Sequence, residues 1–142
     1  MCMTTQADVI NGLKNQGHKI TKTRKALVEI LENTKQPLSV PEVVTLLKNN
    51  HLSPNKTTIY RELTFLLDQG IVQELDFGDS KKRYELDTQD HHHHLVCINC
   101  KKIEDFDLSS DLDKEEKKIL KDKNFKVISH SLEFFGYCKD CR

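Results

Sequence analysis

Only five of the 142 residues are glycine, too few and too scattered to build a phosphate-cradling loop. No His-Glu-x-x-His helix or nucleophile elbow occurs either. The chain is therefore not expected to be an enzyme, and a metal-assisted hydrolase is the weakest of the alternatives. No apolar run approaches the roughly 20 residues of a membrane span. The opening residues lack the pattern of a secretory leader, so the chain is expected in the cytoplasm with its thiols reduced. Net charge is also missing, at +0 from 22 Lys/Arg and 22 Asp/Glu, which argues against indiscriminate nucleic-acid binding. A hydrophobic content of 37% allows one modest core or two small ones, and a bound metal helps units that lack a core.

What is present in concentration is metal ligands. Two Cys-x-x-Cys knuckles, Cys97/Cys100 and Cys138/Cys141, stand near a run of four histidines, His91 to His94. A two-residue spacer lets a tight turn aim both sulfurs inward, so two knuckles can close a tetrahedral shell around zinc. A shell closed entirely by protein has no open position and is structural. Disulfides or a thioredoxin-like redox pair are the competing readings, and reduced cytosolic thiols speak against them. Cys2 is left over without a role.

The apolar period changes in mid-chain. From Ala7 to Gly70 apolar residues recur at helical spacing, and after Ile71 they fall into short alternating runs. Two modules are expected, 1–86 and 87–142. Val9, Ile10 and Leu13 mark a first helix ending near Gly17, and Thr21 or Thr23 caps a second carrying Ala26, Leu27, Ile30 and Leu31. Ser39-Val40-Pro41-Glu42 is a capping box with proline in the first turn of a third. A fourth starts near Ser53-Pro54-Asn55 and runs to Gly70, which suits a left-handed cap.

Ile59, Leu63, Leu66 and Leu67 form the core stripe of that fourth helix, leaving Lys56, Thr57, Tyr60, Arg61 and Thr64 on the opposite side. Cations, hydroxyls and an aromatic are the groups used on phosphates and base edges. Two strands follow, Ile71 to Leu75 and Arg83 to Leu86, joined through Gly78-Asp79-Ser80 with Lys81, Lys82 and Arg83 near the bend. Helices followed by a basic-tipped hairpin describe a winged helix-turn-helix. Its last helix enters the major groove, while upstream cations such as Lys19, Lys22, Arg24 and Lys25 hold phosphates. The fold class expected is α+β, an N-terminal winged helix-turn-helix followed by a small α/β dimerisation domain with a structural zinc site.

Thr58-Ile59-Tyr60-Arg61, the histidine run entering Leu95-Val96-Cys97, the two knuckles and His130-Ser131-Leu132-Glu133-Phe134-Phe135-Gly136 occur in collinear order. Together they resemble the ferric uptake regulator family of metal-sensing repressors over residues 8 to 141. The resemblance implies a homodimer that binds a palindromic double-stranded operator when a regulatory metal is present and controls metal-homeostasis genes, with no membrane or small organic substrate involved. It makes Tyr60 and Arg61 the main groove contacts, with Lys19 and Arg24 in support. Dimerisation is also expected because strands Ile103 to Phe106 and Lys126 to Phe135 carry alternating apolar residues that need a partner surface.

Successive side chains of an extended segment point to opposite sides, so His91 and His93 face one way and His92 and His94 the other. One run can then serve two sites. For the His92/His94 side the resemblance supplies Glu85 and Asp105, a mixed shell that suits iron(II), zinc or manganese better than copper(I). For the His91/His93 side it supplies His130 and a helix carboxylate, Asp113 by alignment, with Asp111 and Glu115 as alternatives. Three positions depart from the family pattern: Pro37 stands where iron and peroxide sensors place a loop histidine, Asp87 near the zinc sensors' cysteine, and His93 where iron regulators have aspartate. The regulatory metal thus stays open between iron and zinc. The iron-dependent peroxide sensor and the zinc-binding module without DNA contact remain as alternatives.

Overall fold

The computed structural model describes residues 5–34, 36–87, 92–108 and 112–142. The chain divides into two compact units, Met1–Gln89 and Asp90–Arg142. No helix among the described residues is long and apolar enough to cross a membrane.

The first unit holds α1 (Gln6–Asn15), α2 (Lys22–Asn33), β1 (Leu38–Ser39), α3 (Val40–Asn49), α4 (Lys56–Asp68), β2 (Val72–Asp76) and β3 (Lys82–Leu86). Local signals set each helix start. The Thr5 hydroxyl accepts from the Asp8 N–H, Thr21 from Arg24 and Asn55 from Thr58, satisfying amides that lack intrahelical partners. At α3 the Glu42 carboxylate accepts from the Ser39 N–H at 2.7 Å, the second half of the expected capping box. Gly70 ends α4 at φ +70°, where the Ile71 N–H reaches back to the Leu66 carbonyl at 2.9 Å. Only glycine takes that left-handed position without steric cost.

Leu27, Val28, Val43, Leu47, Ile59, Leu63 and Leu66 are fully buried where α2, α3 and α4 meet. Removing such side chains from water, at roughly 1.5–3 kcal/mol each, is what holds the helices together. Strands β2 and β3 form an antiparallel hairpin, in register from Val72 opposite Leu86 to Asp76 opposite Lys82. The two-residue β1, unforeseen in the sequence, pairs with β3 to give the order β1-β3-β2.

The second unit contains β4 (His93–Cys97), β5 (Ile103–Phe106), α5 (Asp113–Lys123) and β6 (Glu133–Gly136). Its sheet runs β5-β4-β6, with β4 antiparallel to β5 and parallel to β6. The strand expected over Lys126 to Phe135 is confined to β6 and ends at Gly136. Upstream, Asn124 closes α5 in the left-handed region, and Phe125 and Ile128 stand 63% and 85% exposed, with no strand pairing in the residues between α5 and β6. Among the described residues the buried apolar side chains of this unit are Val96, Cys97 and Ile103. That is far too little core to hold a unit of this size by itself.

Candidate metal centres and nucleic-acid interface

Parallel pairing of β4 and β6 places Cys97 opposite Gly136, so both knuckles begin at the same end of the sheet. Each then turns tightly. The Lys101 N–H bonds the Cys97 carbonyl at 2.9 Å, and the Cys141 N–H bonds the Cys138 carbonyl at 3.0 Å. The Sγ atoms of Cys97, Cys100, Cys138 and Cys141 all lie within 4.8 Å of one another. The Cys100 and Cys138 sulfurs are 3.7 Å apart. Zinc–sulfur bonds of about 2.3 Å at tetrahedral angles require sulfurs about 3.8 Å apart, whereas a disulfide requires about 2.05 Å. All four thiols are free, so the donor set fits zinc.

The electrostatics agree with that fit. Backbone N–H groups of Cys100 and Cys138 hold the Cys97 thiol down to about 6, the latter at 3.4 Å from its sulfur. Cys141, which the Asn99 side chain favours as thiolate, is pushed up to about 11 by Cys138 and the other sulfurs crowding it. Four thiolates this close repel one another unless a cation sits among them.

The histidine strand divides its side chains as alternation requires. His94 and Asp105 are directly opposed on β4 and β5, with Nε2 3.7 Å from Oδ1, and the His92 ring lies 5.0 Å from the His94 ring. His93 stacks on His130 instead, centroids 5.7 Å apart. Both His93 and His94 are buried. The His130 Nδ1 meets the Glu116 carboxylate at 2.7 Å. Asp113, the aligned candidate, opens α5 one turn earlier on the same helical face. Glu116 was not among the expected ligands; the three-residue spacing from Asp113 was the sequence signal that could have named it. His91 and Asp111 lie outside the described residues. Glu85 belongs to β3 of the first unit, where it accepts from the Gln73 side-chain amide across the hairpin.

On α4, Lys56, Thr57, Tyr60, Arg61 and Thr64 are exposed while Ile59 and Leu63 are fully buried, so the two faces separate cleanly. Lys19 is exposed in the turn before α2. Arg24, expected beside it as a phosphate-holding cation, is differently engaged. Its guanidinium forks onto Glu62 of α4 at 2.8 and 3.2 Å, donates to the Lys19 carbonyl at 2.6 Å, and lies 3.9 Å over the Phe65 ring. Arg83, expected as a cation near the hairpin bend, is buried and forked onto Asp79 at 3.1 and 2.7 Å. That pairing holds the Asp79 carboxyl below its usual range. Lys82 pairs with Glu74 at 3.2 Å, and Lys81 is exposed.

The family model described as ferric uptake regulator matches residues 15–135. A ferric uptake regulation protein of Neisseria meningitidis is 32% identical over 92% of this chain and 90% of its own length. A peroxide-responsive repressor of Staphylococcus saprophyticus is 35% identical over 95% of this chain and 90% of its own. Among solved structures, the Helicobacter pylori ferric uptake regulator superposes with a TM-score of 0.79 at 27% identity, covering 95% of this chain and 89% of that one. Sulfur site, histidine strand, winged helix and these end-to-end matches coincide: the chain belongs to the ferric uptake regulator family of metal-responsive transcriptional repressors, which are regulators rather than enzymes.

Proposed function

We propose that this chain works as a homodimer that binds a palindromic double-stranded operator in the cytoplasm and represses metal-homeostasis genes when a regulatory ion is bound. The observation that carries the reading is β4, a single strand that offers Cys97 to the closed sulfur cluster, His94 to Asp105 and His93 to His130. Structural and exchangeable ligands thereby share one rigid element. Zinc would be held permanently by Cys97, Cys100, Cys138 and Cys141. The regulatory ligands are Glu85, His92, His94 and Asp105, a set open to iron, zinc or manganese. A further ion would use His91, His93, His130 and a carboxylate of α5, Asp113 or Glu116. The Helicobacter pylori relative is described as having three functional metal-binding sites, which supports looking for as many here.

Support for self-association comes from the second unit's surface. Phe106, Phe134 and Phe135 are about half exposed on a sheet whose own core is small, and a second copy is the partner the family supplies. DNA contact falls to Lys19, Lys56, Thr57, Tyr60 and Arg61. Because Glu85 comes from the wing and the other regulatory ligands from the second unit, ion binding is linked to module arrangement. A preference of about 1–3 kcal/mol for the DNA-competent arrangement changes operator affinity roughly 5- to 150-fold. Titrating Fe(II), Zn(II) and Mn(II) against operator binding, for wild type and His92→Ala, tests this. Equal affinity with and without every ion removes the sensor role.

The peroxide-responsive relatives, 35% and 33% identical, favour a second reading in which an iron-loaded site answers to peroxide. Mass spectrometry after peroxide exposure separates the two, since a 2-oxo-histidine at His92 or His94 belongs only to the peroxide sensor.

A further inference from the structure

We infer that Arg24 and Glu62 are positioning residues for DNA recognition, a brace that fixes the reading face of α4 against the turn carrying Lys19. The inference rests on the DNA-binding reading above and assigns Arg24 a role other than phosphate contact.

The guanidinium holds α4 and the turn before α2 together through three partners. Its Nε and Nη2 donate to both oxygens of Glu62, on the helix that bears Tyr60 and Arg61. Its Nη1 donates to the carbonyl of Lys19, in the turn before α2. Its plane rests on Phe65, 3.9 Å from the ring centroid. Fork-to-fork pairing restricts distance and orientation together, which a point-charge ammonium cannot do. The two side chains are only 13% and 15% exposed. A cation meant for phosphate extends into solvent; this one is withdrawn and its charge is answered by a carboxylate.

Glu62 is the more telling partner. A carboxylate next to Arg61 on a helix meant for a polyanion repels its target unless something neutralises it. Arg24 does so and uses the same bonds to lock α4 against α2. The rotation of α4 about its axis decides where Tyr60 and Arg61 point. The Lys19 carbonyl bond carries that lock to the upstream cation, so groove and phosphate contacts keep a common register.

The test uses the full-length, metal-loaded protein and a duplex that the wild type recovers from a random-sequence pool, with a scrambled duplex as control, each over a salt series. Glu62→Gln and Arg24→Lys are each expected to weaken binding of the selected duplex about tenfold. Scrambled-duplex affinity and the salt slope should stay unchanged, and Arg24→Gln combined with Glu62→Gln should be no worse than either alone. Exchanging the partners, Arg24→Glu with Glu62→Arg, should recover part of the loss. Two outcomes overturn the brace. One is a Glu62→Gln protein that binds as well as or better than wild type. The other is a salt slope reduced by about one in Arg24→Gln with affinity retained in Arg24→Lys, the signature of a phosphate contact. If the wild type recovers no duplex at all, the DNA-binding reading fails first and the brace falls with it.

Discussion

Cys97 and Gly136 stand opposite each other across the parallel strands β4 and β6. That one register joins two knuckles 41 residues apart in sequence into a single sulfur cluster, because each knuckle begins within two residues of a paired strand end.

Stripping the zinc should unfold the second unit and spare the first. The second unit buries few apolar side chains of its own among the described residues, so metal affinity, on the order of 10–16 kcal/mol for structural zinc in small peptides, must supply much of its stability. The first unit has the core of Leu27, Val43, Leu47, Ile59 and Leu63 to rely on. Hydrogen exchange on Cys138→Ser, or on chelated protein, should show β4 and β6 amides losing protection while those of α2 to α4 keep it. Full protection of β4 without zinc would refute a structural role.

Arg61→Ala should cost about 1–3 kcal/mol of operator affinity, the usual worth of a side chain reading a base. Arg61 and Tyr60 are exposed while Ile59 beside them is fully buried, so truncation removes contact without opening the core. Fluorescence anisotropy should report the loss, and the thermal midpoint should stay put. Tyr60→Phe tests the hydroxyl alone, keeping the ring.

The pattern of what the sequence revealed follows interaction range. Capping depends on residues three positions away, so the Ser39 box was legible outright, while Thr21 was one of two candidates and the start at Asn55 was placed only to within the Ser53-Pro54-Asn55 stretch. The alternation that sets His93 and His94 on opposite sides of β4 needs only the geometry of a strand, whereas their partners His130 and Asp105 came from the family resemblance. Arg24 was legible as a cation, yet what it does is decided by Glu62, 38 positions on. Arg83 likewise looks like a free charge until Asp79 is placed against it by the hairpin bend. The strand expected before Glu133 failed for a related reason: alternating residues make a strand only where another strand offers its edge, and β4 pairs with β6 only from Glu133 onward.

One of the three tyrosines should titrate late. Burial, followed by the nearby Glu74 carboxylate, pushes Tyr84 up to about 12 from an ordinary 10.0. The folded state therefore keeps its proton where the unfolded state releases it. Stability contributed by the neutral phenol is full below pH 10 and is lost as pH rises toward 12. Phenolate absorbance should show an ionisation step near 12, and Tyr84→Phe should remove that late step. A late step that persists in Tyr84→Phe would assign it elsewhere.

The carboxylate that completes the His93/His130 site should prove to be Glu116 rather than Asp113. Both lie on one face of α5, three residues apart, so periodicity alone cannot choose between them. Glu116 meets the His130 Nδ1 at 2.7 Å, whereas Asp113 sits at the first position of the helix, where a carboxylate also serves the free N–H groups of the first turn. Isothermal titration with Zn(II), on protein already holding its structural zinc, should show Glu116→Gln weakening one exchangeable site about tenfold or more. Asp113→Asn should leave that site nearly intact and lower the thermal midpoint slightly through the helix end. His94→Ala should abolish the other exchangeable site without touching this one, because His93 and His94 project from opposite faces of β4. Loss of binding in Asp113→Asn with wild-type affinity in Glu116→Gln would reverse the assignment and leave Glu116 as an ordinary partner for His130.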